Sequence, residues 1–267
     1  MKSKEEVIKE NSATSLVRGL AVLECFGKRQ RHRYTLAELS RELNVPKSSM
    51  HRVLKTLSDM DYVRYEEHSK HYYLGVRVLS LGFTLLNSME FREIARPYME
   101  KISHECNKTI NLAVLDRDEM VYVERVSVRS IRQYNISTGT RITPWKSAIG
   151  RSVLAYLEPD KVAEMIRSAK KKGTFTFDDA AFAKILAETR KKGFAVDNQE
   201  TRKGIVAIAV PIFSAKGVFG AINLIAEPEE ISFAMLKKNY APALIEVGNQ
   251  LSKALGYQEQ KFPEELL

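Results

Sequence analysis

Apolar residues in the first sixty positions recur every three or four residues, the spacing of helices with one buried face. Leu16, Val17, Leu20, Ala21, Leu23 and Phe26 predict an amphipathic helix ahead of a basic run. Thr35 and Glu38 have the spacing of a capping box, and Leu36, Leu39 and Leu43 line a short helix behind them. Asn44, Val45 and Pro46 break it. A second helix follows, with Met50, Val53, Leu54 and Leu57 as its buried stripe. Its remaining positions, Lys47, Ser48, Ser49, His51, Arg52 and Lys55, are left to water or to a partner. Two short helices around a tight turn, the second polar and basic at its start, predict a helix-turn-helix. The period then changes to two. Val63 and Tyr65 alternate, 66–70 reads as a turn, and Tyr72 and Leu74 alternate back, so the helices gain a two-stranded wing.

From Gly75 the helical period returns. Val76, Leu79, Leu81, Phe83, Leu85 and Leu86 predict an unusually apolar helix, with a break near 88–90. Phe91, Ile94, Ala95, Tyr98, Met99 and Ile102 continue beyond it, with Pro97 expected in a first turn. A domain of 75 residues cannot cover this surface alone, so the helix is expected to pair with a second subunit. Further on, 108–116 and 120–126 alternate as a strand pair around a turn at Arg117-Asp118, and 131–137 reads as a third strand. Pro144 ends the extended stretch, Ser147 or a neighbour opens a helix packed by Ala148, Val153, Leu154 and Leu157, and Pro159 opens another. Phe182, Ile185, Leu186 and Thr189 define a helix stopped by Gly193. Strands follow at 194–197, 204–213 and 218–226, the middle one nearly continuously apolar, as a strand covered on both faces should be. A last amphipathic helix is expected over 236–255. The predicted class is a two-domain α+β or α/β chain, with a winged helix-turn-helix over 1–75, a linker helix over 76–93, and a sheet-and-helix domain over 94–267.

Composition narrows the role of the first domain. The chain has 267 residues and a net charge of +9. Between Lys28 and Lys55 stand eight basic residues (Lys28, Arg29, Arg31, Arg33, Arg41, Lys47, Arg52, Lys55) and two acidic ones (Glu38, Glu42), a net of +6. A positive field concentrated beside a helix-turn-helix suits phosphate contacts on double-stranded DNA. The two cysteines, Cys25 and Cys106, form neither a disulfide framework nor a metal pair. The charged opening segment has no apolar signal core and no stretch reaches membrane-spanning length, so a cytoplasmic protein without membrane contact is expected.

Six stretches, in this order and spacing, resemble the IclR family of bacterial transcriptional regulators over essentially the full length: SLVRGLAVLECF (15–26), LAELSRELNVPKSSMHRVLKTLSDMDYV (36–63), YYLGVRVLSLG (72–82), TINLAVLDRDEMVYVERV (109–126), GTRITPWKSAIGRSVLA (139–155) and RKKGFAVDNQETRKGIVAIAVPIF (190–213). The resemblance implies a winged helix DNA-binding domain, a linker helix and a GAF-like effector-binding domain. It also implies homodimers, often pairing into dimers of dimers, on repeated promoter half-sites; most known members repress. Carried onto this chain, the recognition helix is 47–57, with Lys47, Ser48, Ser49, His51, Arg52 and Lys55 facing DNA. An arginine can bridge guanine O6 and N7, whereas Ser and Lys serve equally well on phosphate. Thr35 either caps its helix or also touches a phosphate, and Arg64, Lys70 and His71 of the wing are phosphate candidates. The effector is expected between 145–151 and a sheet face formed by Asp197, Ala207 and Asn223. Ala148 and Ile149 would supply N–H groups at a helix start, suited to a carboxylate. Trp145 and Lys146 stand where Leu-His is usual, Ala207 where many members have cysteine, Asn223 in place of a common serine, and Lys108 in place of Glu. The altered pocket suggests a small carboxylate or aromatic metabolite.

Two other readings compete. An enzyme would draw on Asp197, Asn198 and Glu200, yet no nucleophile–base pair accompanies them, and His104 and Cys106, two apart on a helix, face different ways. A metal-responsive regulator would draw on His68, His71, His104 and Cys106, but the rest of a ligand set is missing. No catalytic residue, metal ligand or cofactor is assigned.

Overall fold

The computed structural model describes residues 13–28, 32–127 and 137–257. The chain divides into two compact units, 1–88 and 89–267. In the first, α1 (Thr14–Lys28), α2 (Leu36–Glu42) and α3 (Lys47–Asp59) precede a hairpin of β1 (Val63–Glu66) and β2 (His71–Leu74), and α4 (Arg77–Asn87) follows. Val22, Cys25 and Phe26 of α1 meet Leu39 of α2, Met50 and Leu54 of α3, and Val63 of β1 in one core. The turn between α2 and α3 depends on Asn44, whose φ of 51° lies in the left-handed region that a short polar side chain tolerates. Ser40 ties its exit by donating to the Val45 carbonyl at 2.6 Å.

In the hairpin Val63 faces Leu74 and Tyr65 faces Tyr72. Only Val63 is fully buried; Tyr65 is 48% exposed, its ring on Tyr72, so the alternation that predicted the wing does not make Tyr65 a core residue. Tyr34 pairs with Tyr72 and attaches the hairpin to the helices. Gly75 is required where the chain leaves the wing, because a Cβ there would lie 2.0 Å from the Asp61 carbonyl oxygen.

The second unit opens with α5 (Glu90–Cys106). The expected linker over 76–93 is therefore not one element: α4 ends at Asn87, and α5 starts afresh two residues past Ser88. Pro97 lies in the interior of α5, not in its first turn as expected. The helix is amphipathic, and Pro97 is on its exposed side while Ala95, Met99 and Ile102 are buried. The sheet is formed by β3 (Thr109–Asp116), β4 (Glu119–Val126), β5 (Arg141–Ile142), β6 (Ala195–Asn198), β7 (Val206–Ser214) and β8 (Gly217–Ala226). They order as β5-β4-β3-β8-β7-β6, every neighbouring pair antiparallel. The strand expected over 131–137 falls almost wholly on 128–136, outside the described residues.

One sheet face is covered by α5 and by α9 (Ala241–Ala254), which bury Ile110, Leu112, Ile208, Val210, Ile222 and Leu224. The expected helix 236–255 begins differently: a π-helical turn, Leu236–Tyr240, precedes α9, whose Pro242 sits in the first turn, where a missing N–H costs nothing. The opposite face is covered by α6 (Ala148–Leu154), and outside it lie α7 (Pro159–Lys171) and α8 (Asp179–Lys192). Enclosed from both sides, all seven residues of α6 are buried. Gly150 permits this: a Cβ there would stand 2.3 Å from both Cα and O of Pro144.

Candidate nucleic-acid interface and effector face

The polar side of α3 is exposed. Lys47, Ser48, His51, Arg52 and Lys55 are all exposed, opposite the buried Met50 and Leu54, while Ser49 lies at the boundary and is half-buried. Thr35 is the N-cap of α2. Its hydroxyl accepts from Glu38 N at 3.3 Å, and Glu38 Oε2 accepts from Thr35 N at 2.8 Å, a complete capping box. In the wing, Arg64 is exposed on β1 and Lys70 is exposed in the turn with φ 54°. His71 is half-buried, its Nδ1 2.6 Å from the Ser69 carbonyl oxygen. Glu66, 2.5 Å from Arg33, is held below the usual carboxylate range by the Ser69 hydroxyl and by Arg33. That ion pair joins the wing to the segment before α2.

The face beneath α6 has a different character. Its cross-strand rows are Asp197–Ala207–Ile225–Thr109, then Ala209–Asn223–Asn111–Arg125, then Pro211–Ala221–Ala113. Ala207, Ala209, Ala221 and Ala113 make a floor of single methyl groups, and Ala148 and Ile149 of α6 belong to the same apolar cluster. Through the floor runs a polar line. Arg125 Nη1 donates to Asn111 Oδ1 at 3.2 Å, and Asn111 Nδ2 donates to Asn223 Oδ1 at 2.8 Å. Thr109 Oγ1 lies 2.8 Å from Ser127 Oγ beside it. Asn111 is fully buried and Asn223 is 3% exposed, so each lost hydrogen bond here would leave a costly group.

Of the expected pocket residues, the fold brings Ala148, Ile149, Asp197, Ala207 and Asn223 to this face. Trp145 is the correction. Its ring packs on Phe175 among the residues of α7 and α8, and Nε1 donates to the Thr174 carbonyl at 3.1 Å, so the indole belongs to the outer core. Asp197 lies on the face but its oxygens serve the loop after β6: they accept from Glu200 N, Thr201 N and the Thr201 hydroxyl. Burial raises its carboxyl above the ordinary value, opposed by the Thr201 hydroxyl and those N–H groups. Thr201 also donates to the Lys146 carbonyl at 3.0 Å. Lys108 pairs with Glu230 at 2.5 Å.

Asn111, Arg125, Thr109 and Arg151 were not singled out from the sequence. The signal for the first was present, since Thr109 and Asn111 alternate with Ile110 and Leu112 in a strand covered on both faces. Arg151, 2% exposed, donates through Nη1 to Glu200 and through Nη2 to the Val196 carbonyl, both at 2.5 Å. Asn198 is exposed and Glu200 is engaged by Arg151, so no acid–base constellation forms around Asp197. Among the described residues no three His, Cys, Asp or Glu side chains gather at a metal-sized site.

Residues 15–67 match the model of the IclR helix-turn-helix domain, and residues 83–253 match that of the bacterial transcriptional regulator IclR C-terminal domain. The chain belongs to the IclR family. It is a transcriptional regulator with a helix-turn-helix and an effector-binding C-terminal domain, and the family's domains are regulatory, not enzymatic. It is 30% identical over 248 residues to the Pca regulon regulatory protein of Pseudomonas putida, covering 91% of this chain and 84% of the relative. An IclR family transcriptional regulator from Brucella abortus has the same fold, with a TM-score of 0.79 at 23% identity over 95% and 97% of the two chains. So does an IclR homolog from Microbacterium hydrocarbonoxydans, crystallised in complex with 4-hydroxybenzoate, with a TM-score of 0.75 at 21% identity over 91% and 99%.

Proposed function

We propose that this IclR-family regulator is a cytoplasmic homodimeric repressor whose effector is a small carboxylate, aromatic or oxo-acid in character, held on the alanine-floored face beneath α6. The observation that carries this reading is the face itself: small apolar side chains under α6, crossed by a line of hydrogen-bonded polar groups. The 4-hydroxybenzoate complex of the Microbacterium homolog supports the ligand class. Asn223, Ala207, Ala148 and Ile149 line the site. Asp197 shapes it by holding the 198–201 loop. The Ala148 and Ile149 N–H groups precede the first amide that the helix itself satisfies, and they suit an anionic oxygen.

On the DNA side, Arg52 and His51 read base edges, and Lys47, Ser48, Ser49, Lys55, Arg64 and Lys70 hold phosphates, with Thr35 at the start of α2. Dimerisation is carried by α4. Val76 and, within the helix, Leu79, Leu81, Phe83 and Leu85 are each more than half exposed, and α4 buries no residue, so its apolar surface calls for a cover. A second copy of α4 supplies one and gives two recognition helices for two half-sites. Effector binding then shifts the population of half-site spacings. No helix of the described residues is long and apolar enough to cross a membrane.

The test is fluorescence anisotropy of the full-length protein on its own upstream promoter DNA, with and without 4-hydroxybenzoate, benzoate and short oxo-acids. A saturable change in operator affinity is expected, and no change with any acid would overturn the effector reading. Sedimentation of Leu79→Glu/Phe83→Glu should give monomers with operator affinity lower by about a hundredfold, as for any bivalent grip reduced to one hand. A dimer of unaltered affinity would remove α4 from the interface.

A further inference from the structure

Where the wing hands the chain to α4, three contacts converge on the end of the recognition helix. Met60 closes α3, and its carbonyl is one of those that a helix end leaves without an internal partner. Arg77, in the first turn of α4, donates to that carbonyl through Nη1 at 3.1 Å. Its guanidinium also lies over the Tyr62 ring, 5.2 Å from the centroid. A cation at this place suits the negative end of the helix dipole. Beside it, Gly75 N donates to the Tyr62 carbonyl at 2.9 Å, in the close approach that excludes a Cβ. No residue of α4 is buried, so side-chain packing does little to aim the helix and its direction is set at this root. The 11 residues of α4 span about 16 Å. A tilt of about 12° at the root therefore carries the far end about 3.4 Å, the distance one base pair adds along DNA.

We infer that Arg77 fixes the angle between the recognition helix and α4, and that this angle sets the half-site spacing the protein accepts. The inference rests on the reading of α4 as the dimer helix and adds the residue that decides the spacing. Arg77 is a positioning residue: it acts through the direction it gives α4, not through a base. Two copies of one stiff corner hold two recognition helices at one separation, whereas two loose corners accept several, each less tightly. Readout by α3 within a half-site is the same in both cases. Each base pair of spacer also turns the second half-site by about 34°, so a corner loose by some tens of degrees would not tell adjacent spacings apart. The planar guanidinium suits the task. It spends its N–H edge on the carbonyl and its face on the ring at once, and a lysine ammonium has no such plane.

Selection from a pool of random DNA duplexes by the full-length protein reads the spacing directly. The wild type should recover two half-sites at one dominant separation. Arg77→Ala should recover the same half-site sequence with separations spread by about one base pair or more on either side. Its affinity for the wild-type operator should fall by about three- to tenfold, the scale of one hydrogen bond. Its affinity for an isolated half-site should stay within about twofold. Tyr62→Leu removes the ring but leaves the Met60 carbonyl, and should widen the spread less. A retained melt of the first unit reports that a variant is folded, and Arg77→Lys, which should fall between wild type and alanine, decides if the alanine variant is not. A single retained spacing with Arg77→Ala overturns the inference. So does an equal loss on operator and half-site with the slope of log affinity against log salt lowered by about 1, which would make Arg77 a phosphate contact. In both cases the dimer stands, provided that the wild type selects paired half-sites. If it selects only unpaired ones, or if Leu79→Glu/Phe83→Glu remains a dimer in sedimentation, the reading of α4 fails and the inference with it.

Discussion

The polar side of α3 and the polar line beneath α6 are built on opposite principles. On α3 the cations stand in water, each independent of the next, and their uncompensated charge persists because solvent stabilises it. Beneath α6 the two asparagines are out of water and ordered behind the half-buried Arg125 in a chain, Arg125 to Asn111 to Asn223, so each fixes the next. The first arrangement suits a large polyanion met at long range, where field and adaptability matter. The second suits a small molecule that must be distinguished from close analogues, where the cost of an unmatched buried group gives the discrimination. The two differ in tolerance as well: an exposed cation can be lost without damage to the fold, and a buried link cannot.

That contrast can be broken most severely from the buried side. Gly150→Ala places a Cβ against the Pro144 backbone and should destabilise the second unit by about 3 kcal/mol. Urea melts of the full-length protein should show one transition displaced and one retained; unaltered melts would mean that α6 and the Pro144 turn move apart without cost. From the exposed side, Arg52→Ala should weaken operator binding by about 1–3 kcal/mol if it reads a base, with ligand titration and sedimentation unchanged. Equal weakening on operator and unrelated DNA would reassign Arg52 to phosphate.

Two smaller effects sharpen the same division. Thr35→Ala removes one half of the capping box, and a loss of about 1 kcal/mol should appear in the first unit's transition alone. If operator affinity falls by more than the stability does, Thr35 also touches DNA. Lys55→Ala should leave the melts untouched and lower the slope of log affinity against log salt by about 1, which anisotropy across a salt series measures. An unaltered slope would place Lys55 away from the phosphates.

Much of the first unit was legible in the chain because its elements are short and local. The Thr35–Glu38 spacing makes its own cap, Asn44 supplies its own turn, and the stripe Met50, Val53, Leu54, Leu57 leaves the basic side of α3 no other direction. The break between α4 and α5 was visible too, whereas Pro97 was misplaced: a helix tolerates proline on its outer side mid-length when packing on Ala95, Met99 and Ile102 holds the rest. In the second unit β3 and β4 could be read from alternation, and the two-faced burial of β7 from its nearly continuous apolar run. Their neighbours could not, since Asn111, Asn223 and Arg125 are separated by up to 112 residues and meet only because β3 lies between β4 and β8. Trp145 shows the converse, being adjacent in sequence to Ala148 and Ile149 yet assigned to another core by a three-residue turn. Sequence by itself determined the helix-turn-helix, most of the helices and strands of the described residues, the family and the charged side of α3, all set by periods of two or about four residues and by local hydrogen bonds. Tertiary structure alone decided which polar groups of the sheet face one another, because strand register sets those distances and burial makes each of them count.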